Sequence, residues 1–148
     1  MDSPVLTLQI EIADIGRLIY SGECLKIVAP AAQGEVCILP RHAPMLTSLR
    51  PGEIRLQDLS GEDRFYFVSG GYLEVKDSAV TVLADEILRS GEIDSERAYE
   101  AREQAEQVLR ESHFRRERDL AKVDLAKALA QLRVLQHAEI YRLKKSGP

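Results

Sequence analysis

The chain has 148 residues, enough for one ordinary hydrophobic core or for a small domain with an appendage. With 45% apolar and 30% charged residues it reads as a soluble globular protein, which excludes a disordered chain; no uncharged apolar run approaches the roughly 20 residues of a membrane-spanning helix. The net charge of −4 hides an asymmetry: residues 1–86 hold seven Lys/Arg against thirteen Asp/Glu, whereas from Arg110 onward ten basic residues face five acidic ones.

Met1-Asp2-Ser3-Pro4 carries neither a basic flank nor an apolar core, so no export or import signal is expected. Residues 5–12 alternate, with Leu6, Leu8, Ile10 and Ile12 on one side, which needs a strand with one buried face. Further short strands are predicted at 18–20, 24–29, 35–39, 45–49, 53–58, 64–69, 72–76 and 79–84. The turns between them fall at Ser21-Gly22, Ala32-Gln33-Gly34, Pro51-Gly52, Gly70-Gly71 and Asp77-Ser78, and Pro40-Arg41-His42-Ala43-Pro44 forms a rigid irregular loop. Eight to ten such strands describe an all-β sandwich. Its predicted inward residues include Leu8, Ile10, Leu25, Ile27, Leu46, Ile54, Phe65, Phe67, Leu73 and Val82. Cys24 and Cys37 sit in these strands and are expected as reduced thiols rather than as a disulfide or metal site.

At about residue 90 the period changes from two to that of a helix. The expected division is a β-sandwich over 1–86, a connector over 87–94 with Ser90 and Gly91 as its hinge, and an antiparallel two-helix hairpin over 95–148. Asp94 is placed to cap a helix over 95–111 whose stripe is Ala98, Ala101, Ala105 and Val108. Ser112-His113-Phe114 makes a turn, and a helix over about 116–144 follows with Ala121, Leu125, Ala128, Leu132 and Leu135 at coiled-coil spacing. Alanine seams bury little area, so this hairpin is expected to be marginal alone and able to exchange one packing for another. Leu129, Val134 and Ile140 lie off the stripe and need other cover.

The search for chemistry is negative. There is no phosphate loop, no His-Glu-x-x-His and no nucleophile elbow. His42, His113 and His137 lie in three unrelated settings with no second ligand at metal spacing, so no metal site is expected. Glu62-Asp63 and Asp85-Glu86 sit in turns, where solvation accounts for them. The basic arm suits an anionic partner or is simply a solvated face. With Phe114 and Tyr141 as its only aromatics beyond residue 110, it does not suit nucleic acid.

Four segments carry a resemblance: Pro40-Arg41-His42-Ala43-Pro44-Met45-Leu46-Thr47, Pro51-Gly52-Glu53-Ile54-Arg55, Val68-Ser69-Gly70-Gly71-Tyr72-Leu73-Glu74-Val75 and Val80-Thr81-Val82-Leu83-Ala84-Asp85. In this order and spacing, with Ile93-Asp94-Ser95-Glu96-Arg97-Ala98 and 126–134 behind them, they resemble the epsilon subunit family of rotary, proton-translocating F-type ATP synthases. The resemblance implies a non-catalytic central-stalk subunit whose sandwich binds the gamma subunit and rests on the c-subunit ring. It also implies a helical arm that folds on the sandwich or extends to the alpha and beta subunits and inhibits ATP hydrolysis. By position Glu35 and His42 resemble the c-ring contacts, and Arg133, Arg142, Lys144 and Lys145 are candidates for contact with the catalytic head. The family often has Gly where Arg41 stands, and the tail after Val134 matches little.

Some relatives bind ATP at the hairpin, and Ile93, Asp94, Arg97, Ala98 and Arg133 match that site. Asp94 is equally a helix cap and Arg97 equally a surface residue. Leu88 stands where the ATP-binding members have a glutamate, and Gln104 and Leu129 where they have arginines, so weak or absent binding is expected and no other cofactor. The alternative is a nucleotide sensor whose hairpin closes on ATP. The expected location is peripheral, on the cytoplasmic face of a bacterial inner membrane.

Overall fold

The computed structural model describes residues 6–146, so Val5 of the first predicted strand and residues 147–148 of the hairpin lie outside the described part. Nine strands come first: β1 (Leu8–Ala13), β2 (Leu18–Ala31), β3 (Gly34–Ile38), β4 (Met45–Leu49), β5 (Gly52–Asp58), β6 (Asp63–Val68), β7 (Gly71–Lys76), β8 (Ala79–Ala84) and β9 (Ile87–Arg89). A single 3-10 turn over Ser90–Glu92 leads to α1 (Ser95–Glu111) and α2 (Arg115–Ser146).

The strands build a sandwich in which β2 belongs to both layers. One layer runs β1-β8-β7-β4-β2 and closes through a β1–β2 pairing; the other continues from β2 through β5 and β6 to β9, with β3 paired to β2. β1 and β8 are parallel, whereas the hairpin neighbours are antiparallel. Leu8, Ile10 and Ile12 of β1 meet Ile27, Ile54, Leu56, Leu73, Val75, Val80 and Val82 in the core between the layers.

Three expectations are corrected by this arrangement. Ser21-Gly22 is no turn: Gly22 takes φ +152°, pairs with Ile10 and lets one 14-residue strand bend without breaking. Residues 87–89, assigned to the connector, pair antiparallel with β6 through Tyr66, Phe67 and Val68 and are therefore part of the sheet. The third concerns facing. Tyr66 and Val68, not Phe65 and Phe67, enter the sandwich, because the outer face of β6 is covered by α2 and holds Phe67 there. Leu46 is likewise 71% exposed, since Met45 and Leu49 take the inward positions of β4. Leu25 is only half-buried because the β2–β5 register shifts between Cys24 and Lys26, turning Cys24 inward. Burial pushes the Cys24 thiol up to about 11, so it is inert at neutral pH, while Cys37 is exposed.

α1 is capped as expected, Asp94 Oδ1 accepting from the Arg97 backbone N–H at 3.2 Å. Its seam with α2 is formed by Ala98 and Ala105 against Ala121 and Ala128; Ala101 lies outside it and is exposed. α2 presents a second face, Ala130 and Val134, to the body, which covers Val134 fully and leaves Leu129 and Ile140 exposed.

Gly71 is required at the β7 corner. At φ +133° a Cβ would lie 2.2 Å from the Leu83 carbonyl oxygen and 2.7 Å from the Ala84 Cα. Gly71→Ala is therefore expected to destabilise the sandwich by about 3 kcal/mol, read as a lower urea midpoint at unchanged slope.

Candidate functional site

The functional geometry of this chain is the joint between body and arm, together with the surfaces each leaves open. The joint begins at the connector. Arg17, in the β1–β2 loop, donates from Nη1 to Glu92 Oε2 at 2.6 Å and from Nη2 to the Ile87 carbonyl at 2.8 Å. Glu92 Oε1 also accepts from the Arg89 backbone N–H at 2.8 Å, and Arg89 Nη2 reaches the Ile19 carbonyl at 3.1 Å. The Arg17 guanidinium, followed by the Arg89 amide, holds the Glu92 carboxyl below the usual glutamate range. Ser90 and Gly91 thus sit in a turn clamped on both sides, and Gly91 takes no φ that demands glycine.

Beyond the clamp, Ile93 joins Phe67, Ala130 and Val134 in a small apolar cluster with Phe65, Leu88 and Leu135 at its margin. The alanine lets the helix approach β6 closely, and Phe67 is fully buried there. The end of α2 then docks through polar groups. His137 Nδ1 donates to Glu53 on β5, at 2.8 Å from Oε2 and 3.0 Å from Oε1. The Tyr141 hydroxyl donates to Glu62 Oε2 at 2.9 Å and accepts from the Asp63 backbone N–H at 3.0 Å, while its ring meets Phe65 edge-on at 5.6 Å. Lys145 pairs with Glu62 and stands 5.7 Å over the Tyr141 ring.

The residues proposed from sequence are scattered over this framework. Ile93 and Ala98 are buried by apolar packing, Asp94 serves as the cap, and Arg97 and Arg133 point to solvent. A groove of about 720 Å³ between the helices is lined by Tyr99, Arg102, Leu132 and Arg133, and Arg102 is already bonded to Glu106 at 2.9 Å. Of the other candidate cations, Arg142 pairs with Glu139 at 2.7 Å, Lys145 with Glu62, and Lys144 is exposed. Glu35 is exposed on β3, whose ladder partner is β2, and His42 lies half-buried in the following loop with Nδ1 donating to the Ala43 carbonyl at 2.7 Å. Arg41 next to it adopts φ +68° and donates its N–H to Ser78 Oγ at 3.0 Å. A left-handed position of this kind is where glycine is the unstrained choice.

One surface was missed from sequence. Leu46, Tyr72 and Leu83 stand side by side on the outer face of β4, β7 and β8, Tyr72 directly opposite Leu83, and all three are more than half exposed. The available signal was apolar residues at the outward parity of alternating strands.

Two adjoining family models match this chain: "ATP synthase, Delta/Epsilon chain, beta-sandwich domain" over residues 7–90 and "ATP synthase, Delta/Epsilon chain, long alpha-helix domain" over 92–136. The chain belongs to the ATP synthase Delta/Epsilon family. Within it the chain stands with the ATP synthase epsilon chains, which are non-catalytic subunits. It is 45% identical to the ATP synthase epsilon chain of Alkalilimnicola ehrlichii over 130 residues, 88% of this chain and 93% of that one. Against the epsilon chain of Halorhodospira halophila it is 46% identical over 131 residues, 88% of this chain and 93% of that one. The fold is similar to a chain in the cryo-EM structure of Euglena gracilis mitochondrial ATP synthase, with TM-score 0.77 at 21% identity over 95% of this chain and 84% of the other. No helix among the described residues is long and apolar enough to cross a membrane.

Hydrogen bonds from Lys145 and then Tyr141 hold the Glu62 carboxyl below the ordinary glutamate range, against partial desolvation and the nearby Asp58 charge. Because the folded value is depressed, this contact stabilises fully above glutamate's ordinary pKa and is lost as pH falls through the folded value. An NMR titration of the Glu62 carboxyl is expected to give a midpoint that moves upward in Lys145→Ala.

Proposed function

We propose that this epsilon-type chain couples the rotor to the catalytic head and restrains ATP hydrolysis through its helical arm. The observation that carries the reading is the form of the arm's attachment. A 32-residue helix is fastened to the body by a cluster centred on Phe67, Ile93, Ala130 and Val134, with polar groups beyond it. Its seam with α1 is alanine. Such an arm separates from the sandwich without unfolding it, since the main core lies wholly between the sheets.

Each partner is assigned a surface by its chemistry. The Leu46–Tyr72–Leu83 face, apolar and unpartnered, suits the gamma subunit. Glu35 and His42, with the Arg41 loop, suit the polar rim of the c ring. In the extended arm Arg133, Arg142, Lys144 and Lys145 suit acidic ground on the alpha and beta subunits. Ser90 and Gly91 are the assigned pivot, restrained by Arg17 and Glu92. The chain then lies peripherally on the cytoplasmic face of a bacterial inner membrane.

The nucleotide-sensor reading gains nothing from the geometry, because Asp94 is engaged as a cap and Ala98 is buried in the seam. Calorimetric titration with ATP is expected to show no micromolar binding. Truncation after Glu92 is expected to raise ATP hydrolysis by the assembled complex severalfold, and unchanged activity would remove the inhibitory role. Tyr72→Asp with Leu83→Asp is expected to abolish co-purification with the gamma subunit while leaving the circular-dichroism spectrum of the chain unaltered.

A further inference from the structure

We propose that the last turns of α2, from His137 to Lys145, form a latch that sets how firmly the arm is held on the β body. Ala130, Val134, His137, Tyr141 and Lys145 follow one another at steps of four and three, which puts them on one face of the helix. The first two are apolar and cover Phe67; the last three are polar and meet Glu53, Glu62 and Asp63 across about 80 residues of chain.

The three polar contacts are not equal. Lys145 and Glu62 have side chains 48% and 44% exposed, so their ion pair is screened and contributes little. Glu53 is only 13% exposed, and the His137 imidazole reaches both of its oxygens. Tyr141 works in both directions at once, donating to Glu62 and accepting from Asp63, with Phe65 against its ring. His137 and Tyr141 therefore carry the latch, and Lys145 adds direction. α1 is held chiefly through α2, so releasing this face of α2 releases the whole hairpin. The latch also occupies Lys145, one of the cations assigned to the catalytic head, which makes the docked and extended contacts mutually exclusive.

The latch rests on the inhibitory reading in one respect, namely what its release does to the enzyme. Its test uses the full chain and then the assembled complex. Hydrogen exchange is compared in the natural chain, in His137→Ala/Tyr141→Phe, and in the body-side pair Glu53→Gln/Glu62→Gln, which leaves α2 itself unaltered. Both pairs are expected to speed exchange of the α1 and α2 amides about tenfold, with the β5 and β6 amides unchanged. Helix exchange that stays at the natural rate in the body-side pair overturns the latch, whatever the helix-side pair does. In the complex, both pairs are expected to lower ATP hydrolysis severalfold. Faster helix exchange with unaltered hydrolysis would leave the latch standing and sink the inhibitory reading instead.

Discussion

Strand β6 buries side chains on both of its faces, and the attachment of the arm follows from that. An antiparallel strand of a sandwich ordinarily has one dry face and one wet one. Here Tyr66 and Val68 fill the space between the sheets while Phe67 projects outward beside Phe65. Leaving Phe67 in water would forfeit about 2–3 kcal/mol. Ala130 and Val134 remove it from water, and because alanine is small the helix axis comes close enough for Val134 to be fully covered. The same strand thus holds the sandwich and seats the helix, and a helix with no such strand beneath it would have only its alanine seam.

Three anchors of different kinds result: a charged clamp at the connector, an apolar pin near the middle of α2, and a polar contact at its end. They differ in what loosens them. Arg17 and Glu92 respond to salt, being exposed. The Phe67 cluster responds to temperature and denaturant. The terminal contact depends on the charge of Glu62, which Lys145 and Tyr141 hold ionised below the usual glutamate range. The docked arm therefore rests on three different kinds of interaction, no two of which weaken under the same change of condition.

Much of the local structure was legible in the residues. α1 runs over the predicted 95–111, because Asp94 has a side-chain oxygen at the right distance for a cap and the alanines recur at helical spacing. Gly70-Gly71 marks a true corner, since no other residue fits against the Leu83 carbonyl. What failed was facing. Alternation says which residues share a side, not which side is inside, and in β6 both sides are apolar. β9 was hidden because three residues show no period, and β2 was split because a glycine in a strand reads the same whether it bends or turns. Tyr141 and His137 were passed over because a polar residue on an apolar stripe declares its partner only when the partner's strand is in place. The Leu46–Tyr72–Leu83 face was missed for the same reason as the facing of β6: alternation groups these residues on one side without saying that the side is the outer one.

The closure of β1, β8, β7, β4 and β2 into a ring has a mechanical consequence. A row of strands with two free edges shears readily, each ladder sliding a little on the next, so a twist applied at one end is dissipated before it reaches the other. Joining the last strand to the first makes the row a tube, in which any slip must stretch every hydrogen-bond ladder at once. The weakest seam in that tube is the Ala31–Leu49 pairing between β2 and β4, reinforced by Arg50, whose backbone N–H bonds to the Pro30 carbonyl and whose Nε bonds to the Ala31 carbonyl. Torsional stiffness of the whole body is set at that short seam.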